Sequence, residues 1–288
     1  MKRLLICDLD NTLYDWVGYF VEAFYAMADE VVRITGCDRD ELLDDFREVH
    51  RQHHDAEHPF AVLETKTLAR LFPARTAAEI AEIIDPAIHA FKSARKRRLA
   101  LYPTVRKTLD RLRDQDILLV AHTESKLYAV VDRLTRLDLT PYFSHIYCRE
   151  RSVSEHPDGV ATSDYLSHFP MHKVFELSHH QRKPNEDVLL EICAREAVPP
   201  PQAAYVGDSI VRDVMMAKRA GVTAIWAKYG TQHERDAYDR LVRVSHWTPE
   251  DVARERLLSR EAADIKPDFI LEHAFEEVLT LVAAEHVD

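Results

Sequence analysis

The chain has 288 residues, 46% of them hydrophobic, enough for one large or two modest cores, and it carries a formal charge of -11 with a pI near 5.8. A field of that sign repels polyanions, which argues against broad binding to nucleic acid or an anionic membrane and leaves any anionic substrate to a local cationic site. Cys7, Cys37, Cys148 and Cys193 show no metal-ligand spacing and are too sparse for a disulfide framework, so a reducing, cytoplasmic setting is expected.

The first element is the apolar run RLLIC at 3–7, which stops at Asp8. It reads as a buried parallel strand and is too short for a signal segment or a membrane span, so neither export nor anchoring is expected. From Tyr14 to about Arg98 the pattern changes to helical periodicity without a convincing strand, through VGYFVEAFYAMADEVVRI, ELLDDFREVHRQ, FAVLETKTLARLF and AAEIAEIIDPAIHAFKSARKRR. Apolar runs then recur as ILLVA (117–121), HIYC (145–148), AAYV (203–206), VTAIWA (222–227) and DFIL (268–271). Amphipathic stretches separate most of them: TVRKTLDRLRD, SKLYAVVDRLTRL, NEDVLLEICAREA and DVMMAKRAG, the last ending in a glycine suited to a helix C-terminus. This alternation predicts an α/β fold with a doubly wound, mainly parallel sheet and an all-helical insert after its first strand.

Two stretches resist the alternation. Residues 149–182 are polar and histidine-rich and read as an irregular excursion with one short hairpin or helix. Residues 228–266 contain one helix opened by Thr248, Pro249 and Glu250, where threonine caps and proline suits the first turn. The expected organisation is a discontinuous core of 1–14 and 99–288, with insertions at about 149–182 and 228–266, and a helical unit of 15–98.

The chemistry concentrates at strand ends. In ICDLDNTLYDW, Asp8 and Asp10 flank one leucine, so an extended backbone sends both to the same side, where two anions repel and something positive must offset them. Thr123 follows ILLVAH, Lys183 sits in QRKPNED, Asp208 follows AAYVG, and Asp213 comes five residues later. Carboxylates at 8, 208 and 213 make an oxygen-rich pocket suited to Mg²⁺. A fixed ammonium and a hydroxyl add what a phosphoryl group requires, leaving one carboxylate to attack phosphorus in line. Its neighbour, kept protonated by the adjacent anion or by its loop, can give a proton to the departing alkoxide and then take one from water.

DLDNTL, ILLVAHT, the dipeptide KP and VGDSIVRDVMMAKRAG, in that order, resemble the four motifs of the haloacid dehalogenase superfamily, mostly Mg²⁺-dependent phosphohydrolases. The match covers roughly 1–14 and 100–227. The resemblance implies that Asp8 is the nucleophile and a metal ligand, and that Asp10 is the general acid/base and a ligand through its carbonyl. It further implies that Thr123 and Lys183 grip the phosphoryl oxygens, that Asp208 binds the metal, and that Asp213 acts through a water or orients Lys183. It makes 15–98 an α-helical cap that chooses the substrate. Glu124 departs from the asparagine frequent in relatives, and reads either as altering leaving-group contacts or as opening the next helix.

Taken singly these signals are weak: a DxD is common in surface loops, Thr123 alone is an ordinary helix cap, and Lys183 alone is a solvated lysine. Their joint order carries the reading. His53, His54, His179 and His180 are expected in solvent, the run Lys92–Arg98 as a solvated helix end, and Cys7 as core packing. Trp16, Tyr19 and Phe20 divide evenly between a buried face and a substrate-facing role, and Arg47, His50 and Arg51 are open as cap-lining groups.

The function expected is hydrolysis of a small phosphomonoester, such as a nucleotide, a sugar phosphate or a phosphoglycolate-like metabolite, through an aspartyl phosphate. A phosphomutase using the same residues and a catalytically silent phospholigand-binding module are the alternatives. Dehalogenation is disfavoured because Asp10 has no role in it. A monomer or homodimer, without nucleic-acid or membrane partners, completes the expectation.

Overall fold

The computed structural model describes residues 2–58, 60–151 and 166–283. Its strands β1 (Leu4–Cys7), β2 (Leu118–Lys126), β3 (His145–Arg149), β4 (Val174–Leu177), β5 (Ala203–Gly207), β6 (Thr223–Ala227) and β7 (Phe269–Leu271) form one sheet of order β4-β3-β2-β1-β5-β6-β7, parallel throughout. Four apolar residues, buried on both faces, put β1 at the centre. Leu4 and Ile6 face one layer with Val120, Ala203 and Tyr205, whereas Leu5 and Cys7 face the other with Leu119, Ala121, Ala204 and Val206. The chain winds outward from β1 to β4, returns to β5 beside β1, and winds the other way, so the switch point lies at the carboxyl ends of β1 and β5. In such sheets that is where a ligand crevice opens.

Between β1 and β2 the chain is helical: α1 (Trp16–Thr35), α2 (Arg39–His53), α3 (Lys66–Leu71), α4 (Ala77–Ile83), α5 (Asp85–Arg98) and α6 (Val105–Asp114). A capping box between Thr76 and Glu79 starts α4, and Pro86 in the first turn starts α5. The two crossings into the helical segment lie side by side, since Tyr102 N–H donates to the Leu13 carbonyl at 2.9 Å and Tyr14 bridges Leu101. The helices α7 (Leu127–Arg136) and α6 pack on the Leu5 face, whereas α8 (Glu186–Arg195) and α9 (Met215–Arg219) pack on the Leu4 face. Among the described residues no helix is long and apolar enough to cross a membrane.

Three expectations change. The second strand continues past Ala121 to Lys126, so Thr123 and Glu124 belong to it and neither opens α7. The excursion at 149–182 holds β4, a four-residue edge strand whose three outer residues are not buried, too short to declare itself by pattern; residues 152–165 of that stretch lie outside the described residues. The insertion at 228–266 holds two helices, α10 (Arg235–Val244) and α11 (Pro249–Glu261), and only α11, with its Thr248 capping box, follows from the sequence signals.

The unexpected α10 docks on the helical insert. Tyr25 donates its hydroxyl to the Arg240 carbonyl at 3.0 Å, Arg243 pairs with Asp44 at 2.7 Å, and His50 Nδ1 meets the Val244 carbonyl at 2.7 Å, packed against Phe24 and Phe46. Burial lowers the His50 imidazole to about 4. The unfolded chain therefore binds a proton that the folded chain refuses between about pH 6.5 and 4, and stability is lost as pH falls through that window, by roughly 3 kcal/mol in all. Urea unfolding at pH 7 and pH 4.5 checks this: the wild type should lose more stability on acidification than His50→Asn, and equal losses would contradict it.

Candidate active site

The loop after β1 begins by extending the sheet, with Asp8 N–H donating to the Val206 carbonyl at 2.9 Å. It then turns at Asn11, whose φ of 58° asparagine tolerates and most residues avoid. Asn11 Oδ1 accepts the N–H groups of Trp16 and Val17 at 3.1 and 3.2 Å, which ties the turn to the start of α1. Gly230 lies against this turn, where a Cβ would stand 1.8 Å from the Asn11 carbonyl oxygen.

Asp8 is buried and uses both oxygens: Oδ1 accepts from Lys183 Nζ at 2.6 Å and Oδ2 from the Thr12 hydroxyl at 3.0 Å. Lys183 also donates to Asp213 Oδ1 at 2.9 Å. Asp213 sits on a π-helical turn after β5, with its carboxylate further held by the Tyr205 hydroxyl at 3.2 Å and Ser209 N–H at 3.0 Å. Gly207 makes room for it, because a Cβ there would come within 2.4 Å of the Asp213 carboxyl. Asp208 lies between, its carbonyl accepting from the Trp226 indole N–H at 2.8 Å.

Carboxylate oxygens of Asp8, Asp208 and Asp213 fall within 4.8 Å of one another. Burial, with the charges of Asp213 and Asp10, raises the Asp8 carboxyl to about 7 against the pull of Lys183. Burial and the Asp8 and Asp213 charges hold Asp208 well above the usual carboxylate range. For Lys183, burial alone would lower the ammonium, but Asp213 and Asp8 outweigh it and keep the group well above its ordinary value. Three carboxylates thus share one ammonium, and the set offers only oxygen donors to an ion. That is the donor chemistry of a hard divalent cation, which would offset the remaining negative charge.

Asp10 accepts from the Ser125 hydroxyl and lies 3.4 Å from Arg133, a guanidinium 1% exposed. Arg133 also donates to Glu57 at 2.7 Å and to the Tyr19 hydroxyl at 2.9 Å. Glu57 and Tyr19 belong to the helical insert and Arg133 to α7, so one buried cation joins both to the second acid. Thr123 is buried at the cavity wall, with its Oγ1 accepting Ser125 N–H at 3.1 Å and its own proton available to a ligand. Glu124 does not open the next helix: it lines the cavity, and its Oε1 accepts the backbone N–H of Lys183 at 3.0 Å, fixing the loop that delivers the ammonium.

All six residues singled out by sequence, Asp8, Asp10, Thr123, Lys183, Asp208 and Asp213, line one cavity of about 330 Å³. Trp16 and His54 line it too, whereas Tyr19 and Phe20 are buried away from it and Arg47, His50 and Arg51 lie outside. His54, His179 and His180 are exposed as expected, but His53 is half-buried, stacked on His58 at 3.4 Å with both rings held by Glu64. Sequence reasoning missed Arg133, Ser125 and Glu57. Arg133 had one signal, a cation at i+3 from Val130 within an otherwise apolar stripe.

The sequence and the fold are similar to those of known proteins. The family described as haloacid dehalogenase-like hydrolase matches residues 2–221, and a second model of the same group matches 180–273. The chain is 25% identical over 242 residues, 82% of its length and 88% of the relative's, to a glyceraldehyde 3-phosphate phosphatase of Methanopyrus kandleri. A protein of the same name from Pyrococcus furiosus is 25% identical over 134 residues, 46% of this chain and 45% of that one. Among solved structures, 2-haloacid dehalogenase from Pseudomonas syringae pv. Tomato DC3000 shares the fold at TM-score 0.56 and 20% identity, covering 99% of both chains. A HAD phosphatase from Thermococcus onnurineus does so at 0.53 and 20%, covering 100% of both. With a family match spanning most of its length and the four motif segments folded into one cavity, the chain belongs to the haloacid dehalogenase-like hydrolases.

Proposed function

We propose that this hydrolase cleaves a small phosphomonoester by way of an aspartyl phosphate on Asp8. The observation that carries the reading is the Lys183 ammonium held between Asp8 and Asp213, with Asp208 beside them in one cavity. Relatives named as phosphatases support it. Asp8 and Asp208 would hold Mg²⁺, together with the Asp10 carbonyl that the family resemblance assigns. When bound, the ion supplies positive charge to the phosphoryl oxygens and reduces their repulsion with the carboxylates.

The chain's own residues then divide the work. Lys183 and the Thr123 hydroxyl grip phosphoryl oxygens, and the buried setting makes each contact count for more than it would in water. An Asp8 oxygen bonds to phosphorus as the bond to the leaving oxygen breaks, and Asp10 gives that oxygen its proton. Asp10 next takes a proton from water, whose oxygen displaces Asp8 and releases inorganic phosphate. Arg133 and Ser125 hold the Asp10 carboxyl in place for both transfers. Asp213, occupied by Lys183, Tyr205 and Ser209, serves as the orienting acid.

In this reading residues 15–98 close the cavity as a cap over a core of 1–14 and 99–288. The paired crossings at Leu13–Tyr14 and Leu101–Tyr102 serve as its hinge. The test is hydrolysis of p-nitrophenyl phosphate by protein stripped with a chelator and then resupplied with Mg²⁺. Turnover should vanish on stripping and return with the ion. Absence of turnover with Mg²⁺ present would reject the proposal.

A further inference from the structure

We infer that Arg149 marks a second anion subsite in the cavity, so that the substrate is a phosphomonoester bearing a further carboxylate or phosphate; this rests on the phosphatase reading above. Each other cation on the cavity wall has a partner. Lys183 holds Asp8 and Asp213, Arg212 pairs with Glu255 at 3.0 Å, and Arg182 sits between Glu124 at 3.7 Å and Asp251 at 3.4 Å. Lys126 donates to the His53 carbonyl at 3.0 Å and lies 3.8 Å from Asp55. Arg149 also lines the cavity and is 8% exposed, yet among the described residues it makes no ion pair, and its Nε has no hydrogen-bond partner. A buried guanidinium without a counter-ion is costly unless a ligand supplies the negative charge.

Its position agrees. Arg149 ends β3 in register with Lys126 at the end of β2, so two cations stand side by side at the carboxyl edge of the sheet. Like charges so placed repel, and an anion bound between them relieves the repulsion. Burial and, after the opposing pull of Asp55, the Arg149 charge lower the Lys126 ammonium, which records the same crowding. The strand β3 is two places from β1, about 10 Å across the sheet, which separates this site from Asp8 by the reach of a small metabolite. A guanidinium with free donors takes carboxylate and phosphate alike in a bidentate manner.

The experiment uses matched substrates with Mg²⁺ present. One pair is 3-phosphoglycerate against glyceraldehyde 3-phosphate, which exchanges a carboxylate for an aldehyde. The other is glucose 1,6-bisphosphate against glucose 6-phosphate, which differs by one phosphate. The wild type should prefer the doubly anionic member of at least one pair by about 10- to 100-fold in kcat/KM, and the favoured pair tells carboxylate from phosphate. Arg149→Met should remove that preference, mainly through KM, while Arg149→Lys keeps part of it. Reading the ratio within each pair discounts any general loss of activity in a variant. Equal kcat/KM within both pairs in the wild type, or a preference that survives in Arg149→Met, overturns the subsite. Hydrolysis of p-nitrophenyl phosphate by the wild type separates the two failures. If it is retained without any preference, only the subsite falls. If it is absent, the phosphatase reading falls and the subsite with it.

Discussion

Lys183→Met should destabilise the metal-free protein by about 3–5 kcal/mol, because it strips the buried carboxylates of Asp8 and Asp213, with Asp208 close beside them, of the ammonium that pairs with both. The methionine fits the space, so the loss is one of charge compensation more than of packing. Activity should fall about a hundred- to a thousandfold or more, since a phosphoryl oxygen loses its fixed cation. Added Mg²⁺ should return part of the stability, as a dication offsets the same repulsion, but not the activity. Urea unfolding with and without the ion measures both effects, and a stability loss below about 1 kcal/mol would mean that the carboxylates are not held together as described.

Asp8→Asn should move stability the other way. Folded Asp8 binds its proton more tightly than the unfolded chain does, so the metal-free wild type loses stability as pH rises from about 4 to about 7, a loss the variant lacks. At pH 8 the metal-free variant should therefore be the more stable protein, by about 4 kcal/mol. Its turnover of p-nitrophenyl phosphate should nevertheless drop at least ~10⁴-fold, as the attacking oxygen is gone. Thermal unfolding from pH 4 to pH 8 alongside the activity assay checks the pair of effects. Parallel pH profiles for variant and wild type would contradict the electrostatic part, and retained turnover would reject Asp8 as nucleophile. Opposite stability changes at Lys183 and Asp8 are hard to obtain from generic damage, which is why the two variants are informative together.

Much of this site was legible in the chain because three of its groups follow an abrupt end to an apolar run. Asp8 ends LLIC, Thr123 ends LLVAH and Asp208 follows AAYVG, and parallel strands in register must bring such ends together. Lys183 was legible only as a member of the ordered set, as its partners are 175 and 30 residues away. The helix-opening reading of Glu124 fails because the second strand outlasts its apolar core, and local pattern cannot show that a polar tail of HTESK stays extended. Arg133 and Glu57 meet 76 residues apart across two layers, a contact with no periodicity to betray it. The helix α10 was hidden for a related reason: it is amphipathic toward the helical insert, through Tyr25, Asp44 and His50, and not toward the sheet.

The most direct measurement is mass spectrometry of protein mixed with a phosphomonoester and Mg²⁺ and quenched in acid within the first turnover. The peptide containing Asp8 should carry the added mass of one phosphoryl group, and the same peptide from Asp8→Asn should not. A phosphoryl group on another residue, or turnover with none on the protein at any quench time, would contradict covalent catalysis by Asp8.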